Sequence, residues 1–194
     1  MIMKKKAYII HGWDGYPEEG WFLWLKSELE QKGFSVKVPQ MPNQAEPKIE
    51  EWVSHISQIV GNVDENTYLI GHSIGCQAIL RYLELLENAR IGGVVFVAGW
   101  FTLKGISDYE ELEIARPWLE TPINFDKVRK KTDNFFAIFS DDDYFVPIEN
   151  ETLFIEQIGA KTAIEPNKGH FSGEDKVKEI PMIPAIIEKW QNQR

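Results

Sequence analysis

One cysteine in 194 residues, Cys76, leaves no partner for an internal disulfide, and the chain reads as cytoplasmic. Basic residues are also in short supply. The 21 Lys and Arg against 30 Asp and Glu give a net charge of −9, which repels a phosphate backbone, so no nucleic-acid partner is expected. The longest basic run, Lys4-Lys5-Lys6, reads as a solvated lead-in to a strand. No apolar stretch is long enough to span a membrane, so none is expected as a partner. The Ala-Tyr-Ile-Ile that follows the lysines stops at His11-Gly12, too early for the core of an export leader. The four histidines form no His-Glu-x-x-His, and no cysteine pair exists, so no metal is expected. Neither a G-x-G-x-x-G after the first strand nor a Walker-type loop is present, which disfavours nucleotide cofactors; none of any kind is expected. Fixed-period repeats and Gly/Ser linkers are missing too, which leaves one domain over residues 1–194.

What is present alternates. Apolar or β-branched runs at 7–10, 34–38, 67–70, 93–98, 134–140 and 160–165 read as strands. Between them lie helical patterns at 20–32, 46–60, 74–86 and 147–158, with a closing one at 176–191. Several strands are apolar throughout, as in a mostly parallel sheet covered on both faces. The segment from Gly99 to Lys131 is less regular and contains Pro117 and Pro122; a short cap over about 100–131 is the expectation. Sheets of this kind bind ligands beyond the carboxyl ends of their strands, so functional residues should follow strands.

One strand end stands out. Gly71-His72-Ser73-Ile74-Gly75 fits G-x-S-x-G between the third strand and a helix. A sharp strand-to-helix turn crowds the backbone on both sides, so small residues two positions away let a serine hydroxyl project. The pentapeptide alone is common by chance, and an inert turn serine is the alternative. A serine nucleophile also needs a base and an acid to orient that base, in the chain order Ser, Asp or Glu, His. Asp141-Asp142-Asp143 follows the fifth strand, and His170 follows the sixth. Spacing does not choose among the three aspartates, at least two of which read as turn or capping residues. His55 falls within a helix, His72 takes the variable position of the elbow with its side chain turned away, and His11 shapes the loop after the first strand. An oxyanion hole would draw one backbone N–H from Ile74 and another from the His11-Gly12-Trp13-Asp14-Gly15 loop, with Trp13 the candidate.

These residues resemble the α/β-hydrolase superfamily, and within it the small serine hydrolases of the retinoblastoma-binding-protein type and their YdeN-like bacterial relatives. The likeness rests on His-Gly at 11–12, Met-Pro at 41–42, IGHSIG at 70–75, Arg-Pro-Trp at 116–118, DYFVP at 143–147 and Gly-His at 169–170. It implies a single-domain α/β-hydrolase fold, about six mostly parallel strands with a short cap, and a Ser-Asp-His triad. The family's acid precedes a two-residue spacer and an aliphatic-Pro pair, which selects Asp143, with Asp142 as the fallback. One family feature fails. The Leu-x-Cys-x-Glu segment before the nucleophile strand is replaced by Gly61, Val63 and Glu65, so binding to a retinoblastoma-type pocket is not expected.

The expected activity is hydrolysis of small carboxylic esters or related acyl compounds through an acyl-enzyme on Ser73. Trp100, Phe101 and Trp118, in or near the cap, are candidate substrate contacts, with core or cap packing as the alternative. Two other readings compete: a binding protein of the same fold without turnover, and an acyltransferase. Cys76, one turn along the helix from Ser73, reads as a small buried hydrophobe.

Overall fold

A computed structural model describes residues 5–193, so Lys4 of the basic run lies outside the described residues. Six strands form one parallel sheet in the order β2-β1-β3-β4-β5-β6. They are β1 (Lys6–Ile10), β2 (Ser35–Lys37), β3 (Thr67–His72), β4 (Gly93–Val97), β5 (Phe135–Ser140) and β6 (Lys161–Glu165). Every residue of β3 and β4 is buried, because helices cover both of their faces. The edge strand β6 has no buried residue and can afford its polar ones.

Right-handed crossovers dictate the layers. The chain runs from β1 out to β2, then returns past β1 to β3, so the helices on either side of that reversal fall on opposite faces. α1 (Phe22–Gln31) packs with α7 (Met182–Asn192), and α2 (Ile49–Val60) packs with α3 (Ile74–Leu85). Trp52, Val53, Ile56 and Val60 form the buried stripe of α2, spaced as a helix facing a sheet requires. Between β5 and β6 runs α6 (Asn150–Ile158), closed by Gly159 in the left-handed region.

The segment after β4 is more ordered than its two prolines suggest. It forms α4 (Tyr109–Glu120) and α5 (Phe125–Arg129). Asp108 caps α4 by accepting from the N–H groups of Glu110 and Glu111, and Asn124 caps α5 through Lys127 N–H. Pro117 is tolerated because it enters only the last turns, where its carbonyl still accepts from Thr121 N–H.

The reversal of strand order places the ends of β1 and β3 side by side, paired in parallel as far as Ile10 and Gly71. That is where an open sheet of this type leaves a crevice.

Candidate active site

Ser73 leaves β3 with φ 52° and ψ −123°, a conformation that costs a non-glycine residue about 1–3 kcal/mol and persists only when its surroundings impose it. Those surroundings are tight. A Cβ on Gly75 would lie 2.6 Å from the Ile10 carbonyl oxygen, and one on Gly71 would lie 2.9 Å from the Cys76 backbone. The glycines therefore let the elbow pack directly against β1 and against its own helix.

Three side chains from three strand ends meet here. His170 Nε2 lies 2.9 Å from Ser73 Oγ, and His170 Nδ1 lies 2.9 Å from Asp143 Oδ2. The other carboxylate oxygen of Asp143 accepts from the N–H groups of Phe145 and Val146, at 2.8 and 2.9 Å, which fixes its orientation. Ser73, Asp143 and His170 are 8%, 4% and 8% exposed, so the chain of bonds is shielded from water. Carboxylate on one side and hydroxyl on the other suit a neutral imidazole with its proton on Nδ1.

The neighbouring aspartates do other work. Asp141 Oδ1 accepts from Asn167 N–H, and Asp142 Oδ1 accepts from Ser140 Oγ and Gly169 N–H. Those bonds hold the Asp142 carboxyl below its ordinary range, that from Ser140 contributing most. Both residues latch the end of β5 to the loop that carries His170.

That loop has further anchors that pattern reading of the sequence misses. Asp175 Oδ2 accepts from the N–H groups of His170 and Ser172 and from the Ser172 hydroxyl. Trp21 Nε1 donates to the Phe171 carbonyl at 3.1 Å. His72 does turn away from the serine, as its place in the elbow suggests, but it reaches the backbone carbonyl of His170. Of these, only Asp175 is close in sequence to His170, so periodicity and motif spacing carry no sign of the others.

The loop after β1 is held equally firmly. His11 is fully buried; its Nε2 accepts from Met41 N–H at 3.0 Å, so Nδ1 carries the proton and donates to the Gly12 carbonyl at 2.8 Å. Burial holds the His11 pKa below its ordinary value, with the bond to Gly12 opposing that shift. Trp13 Nε1 donates to Ala45 O, and Asp14 N–H donates to Gln44 O. Among the described residues, the backbone N–H groups of Trp13 and Ile74 donate to no backbone carbonyl in the loops and turns.

The aromatic candidates are disposed differently. Trp100 and Trp118 are fully buried, and Trp118 Nε1 donates to the Pro47 carbonyl. Phe101 is half buried between Phe125 and Phe154. Packing is the role that the burial of the two indoles describes. By contrast, Tyr144 and Phe145 are partly exposed and stand beside the His170 ring, with centroids 6.1 and 5.3 Å away. Cys76 is buried against the Val97 carbonyl, and burial pushes its thiol pKa well up. Among the described residues, no group of three His, Cys, Asp or Glu is placed to hold a metal ion, and no helix is long and apolar enough to cross a membrane.

A six-stranded parallel sheet wrapped by helices, with a serine on the strand-to-helix elbow at its centre, defines an α/β-hydrolase fold. The serine hydrolase family matches residues 7–189, and the chain belongs to that family. It is similar to YdeN of Bacillus subtilis strain 168, with 30% identity over 189 residues covering 97% of each chain. The crystal structure of the B. subtilis ydeN gene product superimposes with a TM-score of 0.88, over 97% of this chain and 99% of that one. The serine hydrolase RBBP9 of Rattus norvegicus is 25% identical over 190 residues, 96% of this chain and 98% of its own. The protein is accordingly an enzyme, a hydrolase.

Proposed function

We propose that the chain hydrolyses small carboxylic esters by acyl transfer through Ser73, with His170 as the base and Asp143 as the acid that orients it. The observation that carries this reading is the double bridge of His170, 2.9 Å to the serine hydroxyl and 2.9 Å to the carboxylate. As Ser73 Oγ attacks the ester carbonyl carbon, its proton passes to His170 Nε2. The carbonyl π pair moves onto oxygen, which the N–H groups of Ile74 and Trp13 face at the start of α3. Collapse breaks the bond to the alcohol oxygen, which takes the proton from Nε2 and departs. Water then repeats the sequence on the acyl-serine, releasing the acid and restoring Ser73. Asp143 stays ionised and keeps the Nδ1 proton in place.

Support for the Trp13 assignment comes from His11. In a trans peptide the carbonyl and the following N–H point in opposite directions, and no cis peptide occurs among the described residues. By holding the Gly12 carbonyl, His11 sets the direction of the Trp13 N–H. The departing alcohol must reach His170 Nε2, which places it near Tyr144 and Phe145. Amino-acid esters, peptides and thioesters present the same carbonyl and belong in the substrate panel.

Intact-mass labelling with a fluorophosphonate tests the reading. One adduct per chain is expected on the wild type and none on Ser73→Ala, with labelling of His170→Ala strongly slowed. A folded wild type that takes no label would overturn the assignment of Ser73 as an activated nucleophile. Product analysis with a competing alcohol separates hydrolysis from acyl transfer to that alcohol.

A further inference from the structure

Two turns along α3 from the elbow, a second feature lies outside the chemistry of Ser73. A cavity of about 200 Å³ opens between α3 and the cap, with Phe101, Ile123 and Phe125 among its apolar walls. Its charged group is Arg81, only 5% exposed. None of the ion pairs among the described residues includes it. Glu84 and Glu50 favour its charge from a distance, and burial opposes it.

The guanidinium is only partly used. Nη2 donates to the carbonyls of Trp118 and Thr121, each at 2.9 Å, and to Gln77 Oε1 at 3.3 Å. Those carbonyls end α4, so one edge of Arg81 serves as a helix cap. Nε is buried with no acceptor, and among the described residues Nη1 donates to no protein group. A cap alone does not need a permanently charged fork, and a buried cation without an anion is costly. Gln157, one turn from Leu153 on α6, also lines the cavity, and its side-chain amide has no protein partner among the described residues.

We propose that this cavity binds a small apolar monocarboxylate. Its carboxylate accepts from Arg81 Nη1, with a second bond from Gln157, and its hydrocarbon part lies against Phe101, Ile123 and Phe125. One cation and mostly apolar walls suit a single carboxylate on a hydrocarbon body better than a phosphate, which carries more charge and needs more donors. The site is independent of acyl transfer, because Ser73, Asp143 and His170 do not line it.

The test is calorimetric titration of the full-length Ser73→Ala protein with hexanoate and benzoate, beside hexanamide and benzamide as neutral isosteres. Expected is one-to-one binding in which each acid is at least about tenfold tighter than its amide, the difference a charge-assisted hydrogen bond makes. Leu153→Trp, which fills the cavity and leaves Arg81 in place, should abolish binding. Arg81→Met should erase the preference for the acid. Acids that bind no better than amides, or that bind Leu153→Trp unchanged, overturn the proposal. If Arg81→Met does not fold, the isostere comparison and Leu153→Trp still decide. Because Ser73 is absent throughout, a negative result says nothing against the proposed hydrolysis, and a failed fluorophosphonate test says nothing against this site.

Discussion

His72 Nε2 donates to the backbone carbonyl of His170 at 2.7 Å, so the residue next to the elbow serine holds the loop of the imidazole that faces it. A carbonyl only accepts, so Nε2 carries the proton and Nδ1 does not. Nδ1 is buried without a partner, and the ring lies 5.1 Å from that of His170. Burial, followed by the neighbouring His170, lowers the His72 pKa to about 3.

A pH dependence of stability follows from that neutrality. In the unfolded chain His72 returns to the ordinary value of about 6.5, so between there and about 3 the unfolded state binds more protons. The contribution is complete above the upper value and is lost as pH falls toward the lower one. Urea midpoints at neutral pH and at two acidic values, for wild type and His72→Gln, read it directly. Wild type should lose up to about 1.4 kcal/mol more per pH unit across that window. Parallel slopes would mean that His72 is not the source.

Asp143 and Asp142 should separate cleanly. Asp143→Asn leaves the shape intact but removes the acceptor that holds the imidazole tautomer, and kcat should fall by about 10³–10⁴. Asp142→Ala removes a latch on the loop and not a partner of the ring; its kcat should fall by less than about tenfold, with a lower melting temperature. Steady-state kinetics on an activated ester with parallel thermal melts would check both. Equal losses of kcat would contradict the assignment of Asp143.

His11 offers a test of the proposed oxyanion loop at a distance from the reacting atoms. His11→Phe keeps a buried ring but releases the Gly12 carbonyl and strands the Met41 N–H. The expected outcome is a kcat drop of about 10² with KM little changed, since the N–H it orients matters most when charge develops on oxygen. A variant that raises KM alone would point instead to a substrate-binding role for the loop.

Gly75→Ala tests the crowding at the elbow. The added methyl would meet the backbone oxygens of Ile10 and His11 at 2.6 and 2.7 Å, and neither strand nor helix can yield cheaply. Overpacking of this kind costs about 1–3 kcal/mol, so the urea midpoint should drop measurably. A neutral substitution would mean that the elbow is looser than its geometry.

The alternation of strands and helices is legible in the sequence because buried parallel strands must be apolar on both faces, as Tyr68-Leu69-Ile70 and Val94-Val95-Phe96-Val97 are. Ser73 and His170 are legible for a topological reason: one parallel sheet delivers all its strand ends to one edge. Spacing alone leaves Asp141, Asp142 and Asp143 open, and the resemblance is what selects Asp143, since one turn points three identical side chains at three different partners. The helix α4 hides behind Pro117, although Asp108 three residues before Glu111 is a capping signal. The grip of Trp21 and His72 on the His170 loop is invisible in principle. Both side chains bond to backbone carbonyls about 100 residues or more away, which leaves no trace in local composition.

The segment that carries α4 and α5 lies between β4 and β5, whereas the side chains that hold the loop of His170 come from elsewhere: Trp21, His72, Asp141, Asp142 and Asp175. The anchors of that loop and the α4–α5 segment are thus written on separate parts of the chain. An engineer could graft a foreign segment in place of α4 and α5 and keep every one of those loop anchors. Natural divergence could vary that segment by the same route without loosening the His170 loop.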